Sequence, residues 1–210
     1  MNDASQELIR AVSDAKSPAQ LAVAVKNLAA ANDEAGISTL IAVLGYNNPT
    51  AAAIAVAGLT RLGSAVVQPL IQQLDQYDYG ARAYGIRVLA AIADPRALDV
   101  LLTAAAYDFA PGVRRAAAKG LGTLDWSLIE IESRHTAQTQ ASQTLLKISQ
   151  DAEWSIRYAA IVGLQGLLAT AESQQIRVQL EQIAQADAEV AVRARAQLAL
   201  QATPVTATSM

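Results

Sequence analysis

The 210-residue sequence predicts an all-α protein, a right-handed solenoid of about six short helix pairs. Three observations carry this. The chain is 52% apolar but only 4% aromatic, so its core must be built from Ala, Leu, Val and Ile, which pack closely between helices and fill the space between sheets poorly. A short segment recurs along the chain, and Gly and Pro fall at the joints between its copies.

The clearest copies are Val113-Arg114-Arg115-Ala116-Ala117-Ala118-Lys119-Gly120-Leu121 and Ile156-Arg157-Tyr158-Ala159-Ala160-Ile161-Val162-Gly163-Leu164. In each, an aliphatic-Arg start leads through small residues to a closing Gly-Leu. Alignment on the closing leucine adds 20–28, 51–59, 81–89 and 192–200, and successive starts are 31, 30, 32, 43 and 36 residues apart. That interval holds two helices of about 11 to 14 residues with their turns. Helices are therefore expected over 20–30, 51–62, 81–91, 113–123, 156–168 and 192–200. Between them the apolar pattern places second helices at 37–44, 65–74, 96–106 and 173–186. The small residues of the first helix should let a partner approach closely.

Gly63, Asp94-Pro95 and Pro111-Gly112 lie where a helix must stop or start. The 43-residue interval contains neither Gly nor Pro over 127–150, which predicts a longer or doubled helix there, and Ser127 with Glu130 has the spacing of a capping box. Residues 1–202 read as one solenoid, and 203–210, polar and without periodicity, as a disordered tail.

The net charge of −3 argues against a nucleic-acid partner, which needs a basic face. The absence of cysteine excludes thiolate catalysis, disulfides and Cys-bound metal, and the single histidine, His135, leaves little for a metal or triad site. His135 sits among Glu130, Glu132 and Arg134, the pattern of a solvated face. The first ten residues have no basic start and no long apolar run, so a secretory signal is not expected and the cytoplasm is the expected location. The uncharged stretch 35–60 is long enough to suggest a membrane span, but Tyr46-Asn47-Asn48-Pro49 interrupts it, so two short core helices are expected.

Asp94-Pro95-Arg96-Ala97-Leu98, together with the Val113 to Ala118 segment, resembles the HEAT-like repeats of the phycobilin lyases. Tyr77-Asp78-Tyr79-Gly80-Ala81-Arg82-Ala83, followed by Asp108-Phe109-Ala110, is similar to the F-type (beta) subunits of the cyanobacterial E/F phycocyanobilin lyases. The resemblance runs from about residue 17 to 126 and more loosely to 200. It implies covalent attachment of phycocyanobilin, as substrate and with no resident cofactor or metal, to a cysteine of α-phycocyanin by a heterodimer with an E-type subunit. An isomerising relative is associated with a cysteine-containing motif that this chain lacks. The alternatives are a protein-interaction scaffold, or a relative that detaches or chaperones the bilin.

In such a reaction the sulfur nucleophile belongs to the acceptor, and the lyase works by positioning and electrostatics. Asp78 is the candidate catalytic carboxylate, supporting charge on the pyrrole nitrogens. Tyr77, Tyr79, Arg82, Asp108, Phe109 and Arg114 are candidate substrate-binding residues, the rings packing on the flat chromophore and the guanidinium groups forking onto propionates. With Arg115 beside Arg114, and Asp151, Trp154, Arg157 and Tyr158 further on, these types recur at successive repeat boundaries, which in a solenoid stack about 10 Å apart. The structural alternative is a cap: Asp78, Asp108, Asp151 and Asp187 precede helix copies, and Arg82, Arg114, Arg157 and Arg193 share a register position that can pair with them. Asp187 and Arg193, without neighbouring aromatics, read as structural, and Trp126 and Trp154 as packing residues.

Overall fold

The computed structural model describes residues 3–74, 79–170 and 173–201, and every regular element among them is helical. The predicted tail at 203–210 lies outside the described residues. The chain divides into two compact units, 1–97 and 98–210. The first holds α1 (Asp3–Ser13), α2 (Pro18–Ala31), α3 (Ile37–Val43), α4 (Pro49–Leu62), α5 (Val67–Leu74) and α6 (Tyr79–Ile92). The second holds α7 (Leu98–Tyr107), α8 (Pro111–Leu121), α9 (Ile131–Ile148), α10 (Trp154–Gly166), α11 (Ser173–Ala186) and α12 (Val190–Gln201).

All six expected copies are helices, each starting two residues before its predicted bound. The extra residues come from caps the alignment ignored. Ser17 and Asn48 accept hydrogen bonds from the backbone N–H groups of Gln20 and Ala51 at 3.2 and 3.0 Å, and Pro18, Pro49 and Pro111 sit in the first turn, where no N–H is needed. Of the intervening helices, α3 and α11 start where expected, while α5 and α7 start two residues late because 3-10 turns, Gly63–Val66 and Pro95–Ala97, precede them; a third such turn, Glu34–Gly36, leads into α3. Asp33 and Asp94 fix two of these by accepting from the N–H two residues on, each at 2.9 Å.

The phase of the repeat differs from the sequence reading. Within the first unit α2 packs on α1, α4 on α3 and α6 on α5; within the second, α8 packs on α7, α10 on α9 and α12 on α11. The Gly-Leu helix is therefore the second member of each pair, and α1, which carries no such copy, is the first member of the first. Equivalent even-numbered helices stack on one another, α2 on α4 on α6 and α8 on α10 on α12. The closest approach is between these stacked helices, not within a pair. A Cβ on Gly122 would collide with the backbone of Gly163, and one on Gly163 with the carbonyl of Ala118, so α8 and α10 touch backbone to backbone. The closing leucines Leu28, Leu59, Leu89, Leu121 and Leu164 are all buried; Leu200, on the last helix, is half-buried.

The long interval contains one 18-residue helix, α9, after a 3-10 turn at Trp126–Leu128. The expected Ser127–Glu130 capping box does not form. Asp125 caps the 3-10 turn instead, accepting from both the backbone N–H and the hydroxyl of Ser127 at 3.0 and 2.6 Å, and Glu130 leads into α9 without a side-chain cap. The uncharged stretch splits into α3 and α4 as expected. Within 49–74 an 18-residue window reaches a mean hydropathy of 1.6, but Gly63, at φ +65°, breaks the span between α4 and α5.

Candidate functional site

The turns that join the two helices of a pair carry the predicted site residues. In the second unit they share one construction. Asp108, Asp151 and Asp187 each accept a hydrogen bond at 2.9 Å from the N–H two residues on, in Ala110, Glu153 and Glu189, which closes the turn before the next helix. Six residues after each aspartate comes an arginine that reaches back to the turn. Arg157 donates to the carbonyls of Asp151 and Ala152, Arg193 to those of Asp187 and Ala188, and Arg114 to Ala105 at 3.1 Å.

The same arginines connect one turn to the next. Arg114 donates to the Asp151 carboxylate at 2.6 Å, and Arg157 grips both oxygens of Asp187 at 2.8 Å. The Arg–Asp pairing open to this register is thus made with the aspartate of the next boundary, while the contacts nearer in sequence go to backbone carbonyls. Arg157 holds the Asp187 carboxyl below its usual range, with the N–H of Glu189 and the charge of Arg193 adding to the effect against burial. For Asp151 burial is the largest single influence and pushes upward. The N–H of Glu153 and the guanidinium groups of Arg114 and Arg157 together outweigh it, and the carboxyl is again lowered.

Asp108, Phe109 and Arg114 are brought together around the α7–α8 turn. Phe109 is 80% exposed beside Tyr107 at 74%, and the Lys147 ammonium lies 5.6 Å from the Tyr107 ring centroid. In the first unit Arg82 is half-buried in the first turn of α6, the helix that Tyr79 opens. Tyr77 and Asp78 lie outside the described residues. Asp78 stands four residues before its arginine where the other three aspartates stand six, so it is out of step with the ladder. Near the start of α6, Tyr84 lies under the Arg87 guanidinium at 5.6 Å and lines a cavity of about 300 Å³ with Tyr46, Asn47, Asn48 and Gly80.

A second cavity, of about 460 Å³, opens between α8 and α10 and is lined by Arg115, Lys119, Trp154, Ser155, Tyr158 and Ala191. Trp154 is 46% exposed here and does not serve as the packing residue its sequence position suggested. Its signal was available on the two helices that hold the clearest copies: Arg115 and Lys119 on α8, and Trp154 and Tyr158 on α10, where Trp154 falls two residues before the copy, are four apart and so share a helix face. His135 is exposed, as its charged neighbours implied.

Comparison with known proteins places this geometry. A family model for HEAT repeats matches residues 67–165. Designed armadillo repeat proteins share the fold at a TM-score of 0.57 and 16% identity over 93% of this chain and 98% of theirs. The phycocyanobilin lyase subunit beta of Nostoc sp. is 61% identical over 93% of this chain and 98% of its own length, and that of Thermosynechococcus vestitus is 52% identical over 92% and 93%. In the solved complex of CpcE and CpcF of phycocyanin lyase from Nostoc sp., one chain matches with a TM-score of 0.77 and 63% identity, over 80% of this chain and 99% of that one. Likeness of this strength across nearly the whole length, on the same stacked helix pairs, makes the chain a member of the phycocyanobilin lyase beta-subunit family.

Proposed function

We propose that this chain is one half of a heterodimeric bilin lyase which, with an E-type subunit, attaches phycocyanobilin to a cysteine of α-phycocyanin during phycobilisome assembly. The observation that carries this reading is the 61% identity to the Nostoc beta subunit over 98% of that protein. The partner is supported by the 63% identity to a chain from the complex of CpcE and CpcF. The reaction takes place in the cytoplasm, where an acceptor cysteine stays reduced.

The acceptor thiol adds across the exocyclic double bond of ring A. A C–S bond forms, the thiol hydrogen ends on the adjacent ring carbon, and nothing is oxidised or released. A chain without cysteine suits this reaction, because the nucleophile is the substrate's own. Its residues bind and orient. Asp78 supports charge on the pyrrole nitrogens, Tyr77, Tyr79 and Phe109 pack against the tetrapyrrole, and Arg82 meets a propionate. Arg114, engaged by Asp151 and Ala105, holds the end of α7 and so positions Asp108 and Phe109.

Coexpression of this chain with an E-type subunit, a phycocyanobilin pathway and α-phycocyanin tests the reading by fluorescence of the denatured acceptor. Covalent chromophore is expected only when both subunits are present. No adduct with both would reduce the chain to a scaffold, and full transfer by this chain alone would remove the partner.

A further inference from the structure

We infer that the cleft between α8 and α10 is a docking site for the propionate-bearing face of the open-chain tetrapyrrole, an inference that rests on the lyase reading above. Two pairs of side chains face the cleft. Arg115 and Lys119, on successive turns of α8, supply two cations; Trp154 and Tyr158, on successive turns of α10, supply two aromatic surfaces. Neither cation has a carboxylate within ion-pair distance among the described residues. The acidic group nearest in influence is Glu153, whose carboxyl is held low chiefly by its contacts to Ser155 and in smaller part by Arg115.

Arg115 is also set in place before any ligand arrives, because one of its terminal nitrogens donates to the Ser155 hydroxyl at 2.9 Å. That uses one of five N–H donors and leaves the rest of the fork for a carboxylate. Lys119 and Trp154 are exposed, and Arg115 and Tyr158 half-buried, so the site is open on one side. At about 460 Å³ it has the size of a small-molecule site, though open on that side. A flat conjugated ligand bearing carboxylates matches both features together: its rings lie against Trp154 and Tyr158 while a propionate reaches Arg115 and Lys119.

The test uses the full chain copurified with its E-type subunit, titrated with phycocyanobilin as the free acid and as the dimethyl ester, with binding read from the bilin absorption band. Lys119→Gln and Arg115→Gln should each weaken the free acid roughly tenfold and leave the ester unchanged, since only the acid can form the charge-assisted bond. Trp154→Ala should weaken both ligands by a similar factor, with unchanged thermal stability and copurification. Equal weakening of acid and ester by the charge variants, or no weakening, overturns the proposal. So does loss of copurification in these variants, which would make the cleft a protein-docking face. Transfer by the wild-type pair, measured alongside, separates the two levels: normal transfer with unaffected variants sinks only this site, whereas no transfer by the wild type sinks the lyase reading and the site with it.

Discussion

The Arg157 guanidinium holds the Asp187 carboxylate through two parallel bonds of 2.8 Å, from Nε to Oδ2 and from Nη2 to Oδ1, with both side chains largely shielded from water. Asp187 had looked like a plain helix cap. It is instead the end of a chain of contacts running from Arg114 through Asp151 and Arg157, in which the Asp151 and Asp187 turns are each held by the arginine of the turn before.

Asp187→Asn should therefore destabilise the protein by about 2 kcal/mol, above the value for an exposed ion pair and below that for a fully buried one. The amide keeps the turn-closing acceptor for Glu189 but loses the charge opposite Arg157. Urea denaturation of the variant measures this, and a loss under about 0.5 kcal/mol would mean that the pair is only a surface contact.

The same contacts set an acid limit. The carboxyls of Asp151 and Asp187 titrate lower in the folded protein than the ordinary value, so the folded state binds fewer protons than the unfolded chain. Their stabilisation is complete above about pH 4 and is lost as pH falls through the ordinary aspartate value of about 3.9 toward the lowered ones. Thermal melts from pH 7 to pH 3 should show the loss confined to the acid end and shallower in Asp187→Asn. Identical acid slopes for the two proteins would contradict the linkage.

Gly163→Ala should destabilise by more than about 2 kcal/mol, because its Cβ would run into the Ala118 carbonyl and the Leu145 side chain. Gly112→Ala is the comparison, since the nearest atom to its Cβ would be a terminal nitrogen of Arg115 at 3.9 Å, an ordinary van der Waals contact. Equal melting temperatures for the two variants would show that α8 and α10 can separate without penalty.

Asp78 and Asp108 should part company when each is changed to Asn. Asp108 closes its turn as Asp151 and Asp187 do, and Asn can do the same, so transfer should stay within about threefold of wild type and stability within about 1 kcal/mol. Asp78, out of step with the ladder, is the carboxylate proposed to face the bilin, and its loss should slow transfer by roughly one to three orders of magnitude. Single-turnover transfer with the E-type subunit present distinguishes them. Matching rates would return the Tyr77 to Arg82 segment to ordinary repeat structure.

Local patterns were legible in the sequence because they depend on neighbours in the chain. The Gly-Leu spacing, the Pro and Asn starts and the break at Tyr46 to Pro49 placed the helices to within two or three residues, and the tyrosine-aspartate segment pointed to the bilin lyases. The pairing phase was not legible. A helix that repeats along the chain says nothing about which neighbour it packs against, and α1, lacking the repeated motif, gave no sign that it opens the first pair.

Tertiary structure also decided what the charged and aromatic residues do. Arg114 and Arg157 sit at one sequence register with aspartates on either side, six residues before each and 37 or 30 residues after; both distances are compatible with the pattern, and only the stacking of α8, α10 and α12 makes the longer one the ion pair. Trp154 follows the same rule. Its spacing from Tyr158 fixes a shared helix face, but whether that face is covered depends on how far α8 stands from α10, and this is set by the backbone contact at Gly122 and Gly163. The sequence by itself determined the helices and the residue types each carries. The fold decided which of those residues meet, because contact between helices depends on packing distance and not on separation along the chain.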